Sequence, residues 1–421
     1  PIQEHGKLNM NKNKKLWNRA LLKIPSGNSF LSKNPSRYKS KDWPEYFSKS
    51  KGSIVWDLNG KKYYDFAFMG VGTNILGYTN YRVDNAVIKK IKEGNMSTLN
   101  CPEEVMFAEK LLKLHPWAKM AKFAKTGAEA NAIAIRLSRA FNKKNKIIVC
   151  GYHGWHDWYL SAKYSKDNYL DTHLFPSLKT EGVPTFLKKQ IYSTKYNDFE
   201  SLKKITKKDS DISCIIMEVE RDQKPNEGYL KSIRSLCNRN NICLIFDECT
   251  TGFRDVNGGI HLKYGVNPDL VMFGKAIGNG YSIASIIGKK SIMMKSNKSF
   301  ISSTFWSERI GYVAGIATLN EMSRIKSWNI ISQKGRKIKE LLSLAAHKNK
   351  IGIKFKGLDA LIKFDLTNSK IKDYEAFITK EMLKKGFLAT NSIYVSISHS
   401  DSLIKKYVKE MDTIFKKLSK N

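Results

Sequence analysis

Between residues 82 and 273 the chain alternates helical patterns with short apolar runs, and this rhythm restricts the fold more than any other feature of the sequence. Helices are expected near 82–93, 103–114, 129–142 and 229–240, and strands at 121–125, 146–150, 213–219, 242–247 and 270–273. Strands that alternate with helices pair in parallel, so the expected class is α/β, a mostly parallel sheet covered by helices. Ligands in open sheets of this kind sit beyond the carboxyl ends of the strands, which makes polar residues there candidates for chemistry. Asp247 and Lys275 both stand at such ends.

Outside that stretch the pattern changes. Residues 53–57 and 61–66 flank Asn59-Gly60, a two-residue hairpin signal, so the early chain contributes antiparallel structure. From about 310 come two long helical patterns, strand-like pieces at 360–365 and 392–398, and a terminal helix near 402–418. This is expected to be a smaller α+β lobe. The domain reading is therefore residues 1–70 as a segment joining the small lobe, 71–310 as the large domain, and 311–421 as the small C-terminal domain. No repeat or low-complexity linker separates them.

Composition excludes several classes. With 421 residues and 42% hydrophobic content the chain can bury a sizeable core. No run approaches the roughly 18–20 apolar residues that span a bilayer, and the Lys-rich N-terminus lacks the apolar core of a secretory signal, so a cytoplasmic, membrane-free protein is expected. Six cysteines are scattered with no CxxC pair, as reduced, mostly buried thiols would be. His153 and His156 are the close histidine pair, and no metal site is expected from them. The net charge of +35 suggests a polyanion partner, but the lysines are spread along the whole chain, and no zinc knuckle, RNP motif or basic zipper is present. Nucleic-acid binding is not expected on that pattern.

Four segments carry candidate chemistry. Thr126, Gly127 and Ala128 follow a strand and open a helix, where outward backbone N–H groups and the helix dipole could cradle a phosphate; an ordinary strand-to-helix turn has the same appearance. Gly151-Tyr152-His153-Gly154-Trp155 puts aromatic rings on a loop at the next strand end, for stacking on a planar heterocycle or for plain packing. Asp247 needs a cationic partner to stay charged at a buried strand end, and a protonated ring nitrogen or Arg254 would each serve. Lys275 lies between the strand 270–273 and the glycine-rich turn Gly278-Asn279-Gly280, where partial burial favours the neutral amine that attacks aldehydes. Taken together, a phosphate cradle, a ring, an acid and an amine make one cofactor site.

The run Leu244-Ile-Phe-Asp-Glu-Cys-Thr-Thr-Gly-Phe-Arg254, followed by Gly258-Gly259, Tyr264-Gly265-Val266, Pro268-Asp269-Leu270 and Gly274-Lys275, resembles the core motif of class III aminotransferases. It is most similar to those of the glutamate-1-semialdehyde aminomutase kind. With weaker stretches the resemblance covers about residues 15–320. It implies the fold-type I architecture, pyridoxal 5'-phosphate as cofactor, and a homodimer with active sites shared between subunits. It further implies that Lys275 forms an imine with the cofactor, Asp247 partners the pyridine nitrogen, and Tyr152 stacks on the ring. Thr126, Gly127 and Ala128 match the phosphate loop, and Thr304 matches a threonine that reaches the phosphate from the neighbouring subunit.

The sequence also departs from the aminomutase pattern. Its Ser-Gly-Thr phosphate loop is Thr-Gly-Ala here, and the arginine of its Asn-Ser-Pro-Val-Arg, which holds the substrate carboxylate, is replaced by Ser32 or Lys33 depending on a one-residue gap. Neither reproduces a bidentate guanidinium grip. Ser303-Thr304-Phe305-Trp306-Ser307-Glu308-Arg309 puts bulky and charged groups where that family has Gly-Thr-Leu-Ser-Gly-Asn-Pro. This version, with Tyr152-His153-Gly154-Trp155-His156-Asp157-Trp158, looks more like class III relatives of surface-polysaccharide pathways. The expected activity is amino transfer to a polar carbonyl compound, sugar-derived ones included. An aminomutase forming 5-aminolevulinate is the alternative, and a basic polyanion-binding protein on an inactive scaffold is the reading from another class.

Overall fold

The computed structural model describes residues 11–164 and 179–420. The chain divides into two compact units, one running to Asn80 and resuming at Ile330, the other spanning Tyr81–Asn329. The sequence reading drew those divisions at 70/71 and 310/311.

In the Tyr81–Asn329 unit, seven strands among the described residues form one sheet. They are β1 (Met120–Ala124), β2 (Lys146–Cys150), β3 (Ile191–Ser193), β4 (Ile212–Met217), β5 (Cys243–Asp247), β6 (Leu270–Phe273) and β7 (Ala284–Gly288), in the spatial order β1-β7-β6-β5-β4-β2-β3. Neighbours from β3 to β6 pair in parallel, and β7 runs antiparallel to both β6 and β1. This is a mostly parallel α/β sheet, as the alternation of patterns implied. All of β4, β5 and β6 is buried, which is why these strands read as continuous apolar runs. Ile147, Val149, Ile216, Ile245 and Met272 join one core cluster with Ala130, Ala134 and Leu137 of the helix Gly127–Asn142.

The expected helices form at Tyr81–Glu93, Pro102–Leu114, Gly127–Asn142 and Tyr229–Arg239. Parallel pairing sends β2, β4, β5 and β6 toward the same edge, and register aligns their ends: Cys150 faces Met217, Met217 faces Phe246, and Asp247 faces Met272.

In the other unit, Phe47–Lys51, Ile54–Asp57 and Lys62–Asp65 make an antiparallel ribbon that Phe387–Leu388 joins in parallel. The hairpin at Asn59-Gly60 forms, but with a longer loop than the two residues expected. The Asp57 amide bonds to the Lys61 carbonyl, and the Asp57 carboxylate accepts the amides of Asn59 at 2.8 Å and Lys61 at 2.9 Å. Gly60, at φ 82°, takes the left-handed position that closes such a loop. A second antiparallel sheet of Gly352–Lys356, Leu361–Thr367 and Ser392–Tyr394, with the helices Tyr374–Lys384 and Asp401–Lys420, completes an α+β unit. No helix among the described residues is long and apolar enough to cross a membrane.

Candidate active site

The site assembles at the carboxyl edge of the large sheet. After β1 the chain enters the helix Gly127–Asn142 through a capping box: the Thr126 hydroxyl accepts the Glu129 amide, and the Glu129 carboxylate accepts the Thr126 amide at 2.8 Å. The Thr126 hydroxyl also donates to Glu129 at 3.0 Å, so this side chain is occupied within the turn. Among the described residues the amides of Gly127 and Ala128 have no hydrogen-bond partner, and they lie at the positive end of a 16-residue helix. Gly127 is required by close approach, because a Cβ there would stand 2.8 Å from Cys249 Sγ.

The helix also reaches the acid. Asn131, one turn in and buried, donates to Asp247 Oδ2 at 2.8 Å and to the His153 carbonyl at 3.0 Å. His153 Nδ1 lies 2.9 Å from the same Oδ2, and its Nε2 lies 3.2 Å from the Cys150 carbonyl. The imidazole thus bridges Asp247 and the Cys150 carbonyl. The Cys249 amide donates to Asp247 Oδ1 at 3.0 Å. Burial pushes the Asp247 carboxyl up, but the hydrogen bond and charge of His153, with the bonds from Asn131 and Cys249, outweigh it and hold the group below the usual carboxylate range. Asp247 is therefore a buried anion at a strand end. The sequence reading considers Arg254 for its counter-charge; the Arg254 Nε donates to the Thr250 carbonyl, and the His153 imidazole contacts Asp247.

Tyr152 is half-buried beside this pair. Its amide donates to Glu218 Oε2 at 3.1 Å, and its ring meets Tyr159 edge-on at 6.1 Å. Burial first, and then the Asp247 charge, raises the Tyr152 phenol's pKa, so the ring stays neutral. Gly154, at φ 109°, lets the aromatic loop close on the phosphate turn, since a Cβ there would meet Ala128 Cβ at 2.7 Å.

Lys275 follows β6 with φ 46°, a left-handed conformation uncommon for a residue with a side chain and often found at functional positions. Its Nζ donates to Thr250 Oγ1 at 2.6 Å, which points the amine toward the loop after Asp247. A Cβ on Gly274 would touch Cys249 Sγ at 3.4 Å, so Cys249 is the packing point shared by the turn at Gly127 and the turn at Lys275.

Six of the seven singled-out residues therefore gather at one sheet edge. Thr304 does not join them within the chain: it opens the exposed turn Thr304–Ser307. Arg309, expected beside the site as a free charge, instead grips Glu103 through Nε at 2.9 Å and Nη2 at 2.8 Å. Ser32 is half-buried and Lys33 exposed in the other unit, with the Ser32 carbonyl accepting the Tyr38 hydroxyl at 2.7 Å. Sequence reasoning missed Asn131, Thr250, and the role of His153. The i to i+4 spacing from Gly127 to Asn131 was a usable signal for the first of these, because it places Asn131 on the buried helix face.

The donors fit pyridoxal phosphate: two open amides for a phosphate, a buried carboxylate for a protonated ring nitrogen, an aromatic ring on the intervening loop, and a lysine amine for an aldehyde. Among the described residues no group of three or more His, Cys, Asp or Glu could hold a metal ion.

The class III aminotransferase family profile matches residues 38–419. A 3-aminobutyryl-CoA aminotransferase of Cloacimonas acidaminovorans is 35% identical over 83% of this chain and 82% of its own. A glutamate-1-semialdehyde 2,1-aminomutase of Methanocaldococcus jannaschii is 30% identical over 98% of this chain and 99% of its own. An omega-transaminase of Sphaerobacter thermophilus shares the fold with a TM-score of 0.86 at 18% identity, over 98% of this chain and 99% of that one. By the span of the family match and the identity of these relatives, the chain belongs to the class III aminotransferases, which use pyridoxal phosphate.

Proposed function

We propose that this enzyme transfers an amino group to a polar carbonyl acceptor, sugar-derived compounds included, and that it works in the cytoplasm as a homodimer. The observation that carries the residue roles is the buried Asp247 anion, clamped by His153 and Asn131 at the sheet edge where the Lys275 amine emerges. Pyridoxal phosphate supplies an aldehyde that condenses with amines and a ring that withdraws electrons when its nitrogen is protonated. Asp247 holds that nitrogen's proton in place. Tyr152 covers a face of the ring. The amides of Gly127 and Ala128, with Thr126 shaping the turn, bind the phosphate. Lys275 Nζ would form the covalent link to the cofactor and, when free, would take up and return the substrate's α-proton as general base and acid. Thr250, bonded to Nζ, orients the amine for that movement.

The dimer is supported by apolar side chains left in water. Phe300 is 87% exposed, Phe305 68% and Leu99 82%, apolar side chains that a second copy would cover. Thr304 lies between the two phenylalanines in sequence, and the family resemblance implies that it reaches the phosphate from the neighbouring subunit.

An aminomutase is the second reading, favoured by the near full-length match to proteins of that name. Against it stands the absence of an arginine at Ser32 or Lys33: a lysine is a point charge and orients a small substrate's carboxylate less well than a planar fork. One relative at 35% identity over 83% of this chain is named for amino transfer, and another at 35% over 66% of it is named as the aminomutase. The purified protein is expected to convert its cofactor to the amine form with an ordinary donor such as glutamate, followed by absorbance, while producing negligible 5-aminolevulinate from glutamate-1-semialdehyde. Formation of 5-aminolevulinate at about 1 per second or faster would put the aminomutase reading first.

A further inference from the structure

The phosphate turn carries an anion of its own. Glu129 sits one residue beyond Ala128, half-buried, with Oε2 accepting the Lys125 amide at 3.1 Å, the Thr126 amide at 2.8 Å and the Thr126 hydroxyl at 3.0 Å. Burial pushes its carboxyl up, and the hydrogen bonds from Trp306, Thr126 and Lys125 more than reverse this, so Glu129 stays ionised. A carboxylate at the start of a helix competes with a phosphate for the same amides and repels it. Yet the amides of Gly127 and Ala128 remain open. The carboxylate is held aside through both oxygens, Oε2 by the three bonds above and Oε1 by Trp306, whose Nε1 donates to it at 3.1 Å.

Trp306 is itself held in place. Its ring packs against the core cluster of the large sheet, its carbonyl accepts the Tyr312 hydroxyl, and two residues on Glu308 pairs with Lys125, the residue before Thr126. The turn 304–307 is thus fastened to the phosphate turn at two points, Trp306 to Glu129 and Glu308 to Lys125.

We infer that Trp306 is a positioning residue for the cofactor phosphate: its indole N–H pins the Glu129 carboxylate toward Lys125 and Thr126 and so keeps the Gly127 and Ala128 amides free for the phosphate. The inference rests on the reading of those two amides as the phosphate seat. Without the indole donor, the Glu129 carboxylate is held through Oε2 alone, and Oε1 is free to turn toward the open amides. The phosphate then has to displace a carboxylate already bonded there.

The test compares two aldehydes that differ only in the phosphate. The full chain, stripped of cofactor, is titrated with pyridoxal phosphate and with pyridoxal, following the absorbance of the imine with lysine. Trp306→Phe keeps an aromatic ring and removes the donor. It is expected to weaken pyridoxal phosphate about tenfold, the size of one hydrogen bond to a charged group, with pyridoxal unchanged within about twofold. In a Glu129→Gln background the same substitution should cost less than about twofold, because the competing charge is gone. Glu129→Gln alone should raise the preference for the phosphorylated aldehyde, which tests the idea even if Trp306→Phe does not fold. Unchanged affinity in Trp306→Phe, equal loss for both aldehydes, or a lowered preference in Glu129→Gln would each overturn the inference. A wild-type chain that binds both aldehydes equally would count against the phosphate seat itself, and the inference with it.

Discussion

Lys275→Ala is expected to abolish covalent attachment of pyridoxal phosphate and to lower turnover by at least about 10²- to 10⁴-fold, the range associated with one positioned general acid or base. The structure makes this substitution a clean one. Lys275 is half-buried, and its Nζ has Thr250 Oγ1 as its hydrogen-bond partner, so alanine removes one partner of a buried hydroxyl and leaves no unpaired buried charge in its place. The left-handed φ of 46° at this position is no worse for alanine than for lysine. The variant should therefore fold with its sheet intact. The measurement is borohydride reduction of the protein with cofactor present, followed by peptide mass spectrometry. Wild type should carry the adduct on Lys275, and the variant on no residue of the site. An adduct on another active-site lysine in Lys275→Ala would transfer the role elsewhere.

Asp247→Asn is expected to cost roughly 30- to 150-fold in turnover, corresponding to one lost charge-assisted contact of about 2–3 kcal/mol. The surroundings give reason to expect the upper part of that range. In the native site one oxygen accepts from Asn131 and His153 and the other accepts the Cys249 amide. An asparagine has a single oxygen. If that oxygen faces Asn131 and His153, its NH₂ points at the Cys249 amide and at the ring nitrogen's proton, setting donor against donor. His153, which is buried, also loses the carboxylate that its Nδ1 contacts. Steady-state turnover measured at saturating cofactor separates this from simple loss of binding. Near-normal turnover of Asp247→Asn with the cofactor bound would refute the electron-withdrawing role assigned to the acid.

Much of the fold was legible in the chain because short-range patterns encode it. The apolar runs at 146–150, 242–247 and 270–273, separated by helical patterns, correspond to the strands Lys146–Cys150, Cys243–Asp247 and Leu270–Phe273. Parallel connection then leaves no choice about which edge receives their polar ends, and Asp247 and Lys275 could be singled out from that alone. The hairpin was legible too, though not its loop length, since the Asp57 carboxylate that closes it acts through contacts with Asn59 and Lys61 that a dipeptide signal does not contain.

Partnerships across the sheet are a different matter. Residue types and spacing determined that an amine, an acid, an aromatic loop and an amide-rich turn would lie at one edge. The tertiary structure alone decided that His153, 94 residues earlier, contacts Asp247, and that Asn131 joins them from the helix behind the phosphate turn. It likewise tied Arg309 to Glu103 and Trp306 to Glu129, two side chains whose sequence position suggested a pocket wall. The physical reason is that strand and helix formation depend on neighbours a few positions away, which one sequence displays. The satisfaction of a buried charge depends on whichever donors packing brings within about 3 Å, and packing is a property of the whole unit.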